Sequence, residues 1–353
     1  MKRFTWGKSI FLSFLCVAVA QADIKMSGQA EAGIMFGAPT GGTSGFDFLV
    51  DHANMNLDAS VSDKTSVHVS KGFAFAPFSF VGGGAAGGTS LTTSTATYFN
   101  KRGLVAVGAG SGLTFAINTA YLQHKCASFL TTQLGMTQTP FGMEGMWGRH
   151  DYLHYAYSRG YDAAVTNGWN YDLGVLFNFE GDNVPGKLEV AIQDGSVASA
   201  LARRADTPAV AARWHMKLDA GSVSITPVAS VYANAFGNGG PYDFGFSGGA
   251  NIDAGMVALN AEFIQTNTSA VISTPVTKTR SIWFEPQVDF GVAKLTGKVD
   301  LGQVAGLNDT NIGVGISKEY DDHRIRLLWS YNNMSGVLGA KTMDFRLLFG
   351  TKF

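Results

Sequence analysis

Cysteine is nearly missing: there are two in 353 residues. Cys16 lies in an apolar run near the start, so only Cys126 remains beyond residue 22 and no intramolecular disulfide can form there. No Cys/His spacing suggests a metal site either. Charge is scarce, at 15% of residues against about 25% in ordinary soluble domains. It is also nearly balanced, at 26 Lys+Arg against 27 Asp+Glu, which excludes the basic surplus that a nucleic-acid partner requires. Long apolar runs are absent beyond residue 22, where no stretch approaches the ~20 residues of a membrane-crossing helix. Glycine, in contrast, is abundant, with 44 residues. A chain with few charges and no spanning helix can still cross a bilayer in one way. Besides helices, only closed barrels satisfy every backbone polar group internally.

The first residues read as an export signal. Lys2, Arg3 and Lys8 lead into an apolar run from Ile10 to Ala20, followed by Ala20-Gln21-Ala22, a small-residue cleavage pattern. The expected mature start is Asp23. Removing the three basic residues leaves 23 cations against 27 anions, a net charge of −4.

Past that point the chain alternates. In 23–36 the even positions carry Ile24, Met26, Ala30, Ala32, Ile34 and Phe36, and the odd ones Asp23, Lys25, Ser27, Gln29 and Glu31. Alternate side chains of a strand point to opposite faces, so one face is apolar and the other polar. The run is longer than the 5–6 residues of a globular strand and suits the 9–11 of a tilted membrane strand. In 46–60 Leu49, Ala53, Met55, Leu57 and Ala59 oppose His52, Asn54, Asn56 and Asp58, with Asp51 breaking the apolar face. The pattern recurs to the end. In 344–353 Phe345, Leu347, Phe349 and Phe353 share one face.

Tight turns with Gly, Asp or Asn alternate with longer loops of Gly, Asn, Ser and Thr. Five strands fit before residue 138 and eleven between 171 and 353. The expected fold is all-β: a transmembrane antiparallel β-barrel of about 16 strands, with short periplasmic turns and long extracellular loops. Residues 1–22 are the signal peptide and 23–353 the barrel. A secreted β-sandwich also alternates, but its strands are shorter and its surface carries more charge.

The stretch AYLQHKCASFLTTQLGMTQTPFGMEGMW, 120–147, resembles the outer-membrane porins of Gram-negative bacteria, in particular the phosphate-selective-like and putative β-barrel porin groups. The matching residues are Ala120, Tyr121, Thr139, Pro140, Phe141, Gly142 and Glu144. Phe349 and the terminal Phe353 look like the assembly signal of that superfamily. The tandem Arg/Lys cluster of a dedicated phosphate channel is missing. The resemblance implies an outer-membrane location, contact with lipid and with the barrel-assembly machinery, and a loop at about 139–170 that folds inward to narrow the lumen. A homotrimer is the expected assembly, with the glycine run 81–88 as an outer loop able to reach a neighbour.

A barrel of 16 strands is too wide for its side chains to fill and leaves an aqueous channel. The candidate constriction residues are Glu144, Arg149, His150, Asp151, His154 and Arg159. By parity the pore-lining wall includes Glu31, His52, His68, Arg213, His215, Lys294, Arg324, Arg326 and Arg346. The expected function is passive diffusion of small hydrophilic solutes and ions, with no cofactor and no catalysis. No G-x-S-x-G elbow or phosphate-binding loop is present. Two alternatives stand beside it: a solute-specific channel of the same fold, anion selectivity included, and a barrel serving adhesion or carrying an enzyme site.

Overall fold

The computed structural model describes residues 23–39, 45–75, 113–146, 158, 160–161, 171–181, 184–193, 208–234, 243–268, 277–304, 306–334 and 340–353. Its strands are β1 (Asp23–Pro39), β2 (Gly45–Ser60), β3 (Thr65–Phe75), β4 (Leu113–Ala127), β5 (Leu130–Gln138), β6 (Tyr171–Gly181), β7 (Val184–Gln193), β8 (Ala209–His215), β9 (Leu218–Ala220), β10 (Val223–Asn234), β11 (Asp243–Asp253), β12 (Val257–Thr268), β13 (Thr277–Asp289), β14 (Lys294–Val304), β15 (Leu307–Tyr320), β16 (His323–Met334) and β17 (Ala340–Lys352). All pairings are antiparallel and, apart from β8 with β10, join sequence neighbours, and β1 also pairs with β17, which closes the sheet on itself.

β8 and β9 both pair with β10 and form one stave, broken at Met216 and Lys217. The cause is local. Pro227 of β10 stands beside the gap; its carbonyl accepts from Met216 N at 3.4 Å, but it has no N–H to return. Seventeen segments therefore make a closed barrel of 16 strands, five before residue 138 and eleven after 171, as the alternation predicts.

Both described ends lie on the short-turn rim. Asp23 pairs with Ser60 beside the 61–64 turn, and Phe353 exchanges backbone bonds with Gly28, at 2.9 and 3.0 Å. One connection departs from the expected alternation of lengths. On the long-loop rim Val304 pairs directly with Leu307, so only two residues separate β14 from β15.

The side-chain layout is that of a barrel turned inside out. Ile282, Phe284, Leu301, Val314, Ile316, Leu327, Phe345 and Phe349 are exposed on the outer face. Their strand neighbours Ser281, Glu285, Asp300, Ser317, Arg326, Asp344 and Arg346 are buried on the inner one. Water outside would penalise such a surface; hydrocarbon does not.

Asp51 also finds its explanation here. The register passes from Glu31↔His52 to Ala32↔Val50, so Asp51 is the extra residue of a β-bulge. Beyond it parity reverses, and Phe46, Phe48 and Val50 pair with Phe36, Ile34 and Ala32.

Candidate functional site

After β5 the chain does not leave the barrel. Thr139 donates to Gln193 Oε1 at 2.9 Å on the inner face of β7. Pro140 stiffens the entry, and Gly142, with φ +70°, makes a bend that a side chain would resist. The segment then runs across inward-facing residues of several staves. Gly142 N donates to Ser230 Oγ at 2.8 Å, and its carbonyl accepts from Arg213 Nη1 at 3.2 Å. Met143 N donates to Glu262 Oε1 at 2.6 Å, while Trp283 Nε1 holds the other Glu262 oxygen at 3.3 Å.

Phe141, Met143 and Tyr161 pack into an apolar patch of the inner wall made by Tyr232, Ile264 and Trp283. Fully burying side chains of this size contributes about 1.5–3 kcal/mol each. Gly160 is needed for the approach, since a Cβ there would come within 2.6 Å of Ile264 Cβ.

Glu144 is the hub. Its Oε1 accepts from Lys298 Nζ at 2.7 Å, with both side chains fully buried. Ser158 N donates to both carboxylate oxygens at 3.0 Å, and Ser158 Oγ donates to Oε2 at 2.5 Å. Lys298 also lies over the Trp283 ring, 5.0 Å from its centroid. Glu144 thus ties the two ends of the loop's described part to β14. The sequence reading named Glu144 as a residue of the constriction loop; in the structure its side chain is fully buried between loop and wall. Arg149, His150, Asp151, His154 and Arg159 lie outside the described residues, as does the glycine run 81–88.

The expected wall residues divide into groups. Glu31, Arg324, Arg326 and Arg346 gather at the seam on β1, β16 and β17. Arg326 bonds both oxygens of Glu31, Arg324 stands 3.9 Å from it, and Arg346 Nε donates to Asp344 Oδ1 at 3.1 Å. His52 pairs in register with Glu31; its side chain lies outside the described residues.

His68 faces a lumen cavity of about 420 Å³, stacked on Tyr121 at 4.9 Å and bonded to Asp58 Oδ1 at 2.6 Å. Arg213 shares that cavity and gives Nε to Glu189 Oε2 at 2.6 Å. His215 sits one inward step further along, opposite Lys187. Lys294 is half exposed at the start of β14, 3.8 Å from Asp289. Phe349 and Phe353 are exposed on the outer face.

Glu262 and Trp283 escaped the sequence reading. A carboxylate at an inward position of the alternating stretch 257–268 was the available signal for the first; nothing local marked the second.

No family model and no curated protein sequence matches this chain. Solved structures do. The outer membrane channel DcaP of Acinetobacter baumannii superposes with a TM-score of 0.62 at 12% identity, over 95% of this chain and 98% of its own. An anion-selective porin from Comamonas acidovorans gives 0.60 at 10% identity, over 94% and 100%. The trimer form of OmpT, an outer membrane protein of Vibrio cholerae, gives 0.57 at 10%, over 94% and 99%. The fold is the porin barrel. In this chain the segment after the fifth strand is bonded to inward-facing residues from β7 to β14, and the Glu31 cluster occupies the seam.

Proposed function

We propose that this chain is an outer-membrane porin through which small hydrophilic solutes and ions diffuse passively. The observation that carries the reading is the closed 16-strand barrel with an apolar exterior and a charged, hydrogen-bonding inner wall. At that strand number the lumen holds water. The loop 139–170, tied to the wall through Glu144, narrows it. Size and the charges around the narrowing set the flux, and no cofactor or turnover enters.

The remaining parts of the proposal follow from the same frame. Residues 1–22 direct export, and Phe349 and Phe353 present the last strand to the barrel-assembly machinery. Three barrels associate as a homotrimer; the trimeric OmpT form, similar in fold, supports this. The Ser158 hydroxyl, the nucleophile that an enzyme reading of the loop would need, is buried and donates to Glu144. Two of the similar structures are an anion-selective porin and an outer membrane channel.

One observation favours a second reading, an anion-selective channel. Arg324, Arg326 and Arg346 face inward at the seam with Glu31 and Asp344 among them, and one barrel of similar fold is an anion-selective porin.

Reconstitution in a planar bilayer tests both. Stepwise conductance that scales with bulk salt is the expected result for a diffusion pore. A reversal potential displaced toward the anion under a salt gradient gives the second reading. Insertion without any conductance step overturns the proposal and leaves a barrel with an adhesive or scaffold role.

A further inference from the structure

On the outer wall near the long-loop rim, one level of four adjacent strands turns polar. The register sets Gln265 of β12, Arg280 of β13, Gln303 of β14 and Asn308 of β15 side by side. All have outward parity. One step toward the short-turn rim, the same register gives Phe263, Ile282, Leu301 and Thr310. Below these the outward positions stay largely apolar, with Val257, Phe284, Leu295, Val299, Val314 and Ile316 exposed. The polar row therefore marks the edge of the apolar band.

A cavity of about 400 Å³ opens at that edge, bounded by Phe263, Ile282 and Leu301 on one side and by Arg280, Gln303 and Asn308 on the other. Arg280 is exposed, and Gln265 Oε1 accepts its Nε–H at 3.0 Å. That bond orients the guanidinium and leaves its two terminal nitrogens for another acceptor. Among the described residues no carboxylate is within ion-pair distance of it. Asp309, which borders the same cavity, is buried on the inward parity. Lys278, one outward step further toward the rim, adds a second exposed cation.

We propose that this cavity docks the headgroup of a phosphorylated glycolipid of the surrounding leaflet. An exposed guanidinium at the boundary of an apolar band faces headgroups and matches a phosphate in charge and in bidentate geometry. The amides of Gln265, Gln303 and Asn308 supply donors and acceptors for sugar hydroxyls. The floor of Phe263, Ile282 and Leu301 suits the start of an acyl chain. A free phosphate would use the cation and leave the floor and the amide row idle. The site is on the outside of the barrel and does not depend on what passes through it.

The test uses the purified full barrel in neutral detergent and native mass spectrometry. The probes are a bis-phosphorylated disaccharide lipid (lipid A), the same lipid dephosphorylated, and inorganic phosphate. The phosphorylated lipid is expected to be retained, with retention falling about tenfold in Arg280→Gln and further in Arg280→Gln/Lys278→Gln. Lys318→Gln, which removes an exposed outward cation near the other rim, is expected to retain it in full. Both Arg280 and Lys278 are surface residues, and a heat-modifiable gel shift verifies that each variant is folded. Equal retention of the dephosphorylated lipid overturns the proposal. So does undiminished retention in Arg280→Gln, or inorganic phosphate competing at equal concentration.

Discussion

Replacing Lys298 by methionine keeps most of the side-chain volume but removes the countercharge of Glu144. Both side chains are fully buried, 2.7 Å apart, so no water compensates the carboxylate once the ammonium is gone. Removing one partner of a buried pair costs about 3–5 kcal/mol. The Ser158 donors to Glu144 survive the substitution and hold the figure near the lower end. At about 1.4 kcal/mol per tenfold, a loss of ~3 kcal/mol lowers the ratio of wall-bound to released loop by roughly 150-fold. The barrel itself keeps its backbone ladders.

In planar bilayers Lys298→Met is therefore expected to show a noisy open-channel current where the parent is quiet. Limited trypsin treatment is expected to cut after Arg149 or Arg159 faster than in the parent. Adding Glu144→Gln removes the orphaned charge, keeps an acceptor for Ser158, and is expected to restore much of the quiet current. If Lys298→Met is as quiet and as protease-resistant as the parent, the clasp does not hold the loop and the reasoning fails.

Three further outcomes are expected. Arg326→Met leaves Glu31 with Arg324 at 3.9 Å as its remaining cation of the pair; the urea midpoint of the micellar barrel falls by an amount worth about 3 kcal/mol, and Arg326→Lys restores it only in part because the two-pronged contact is lost. An unchanged midpoint refutes this. Gly28→Leu places a Cβ within 2.7 Å of Asn54 O and against the Phe353 ring, at the place where the barrel closes; the yield of heat-modifiable folded protein drops severalfold, and a normal yield would show that the seam tolerates bulk. Arg324→Gln with Arg346→Gln removes two inward cations; under a salt gradient the reversal potential moves toward the cation, and a fixed potential removes the seam from the ion path.

How much of this was legible without coordinates depends on how local each signal is. The alternation of 23–36 or 344–353 is a property of about a dozen consecutive residues, so strand number, inward parity and the outward apolar set could be read one strand at a time. Asp51 could not. A bulge is a mismatch between two strands, and a single strand seen alone shows only an acid on the wrong face. Pro227 is an intermediate case: its missing N–H is visible in the sequence, but which neighbour loses the bond depends on register. The loop carboxylate Glu144 stood out because a charge in a long aromatic loop is conspicuous, yet its role depends on Lys298, 154 residues away. Glu31 likewise meets Arg326 across 295 residues. A period of two fixes the face of each side chain and says nothing of its height. Heights are set by the stagger at which the sheet closes, which is a property of the whole cylinder. The sign and the wall of a charge are therefore readable from the sequence, while the charges it meets are decided only when β1 finds β17.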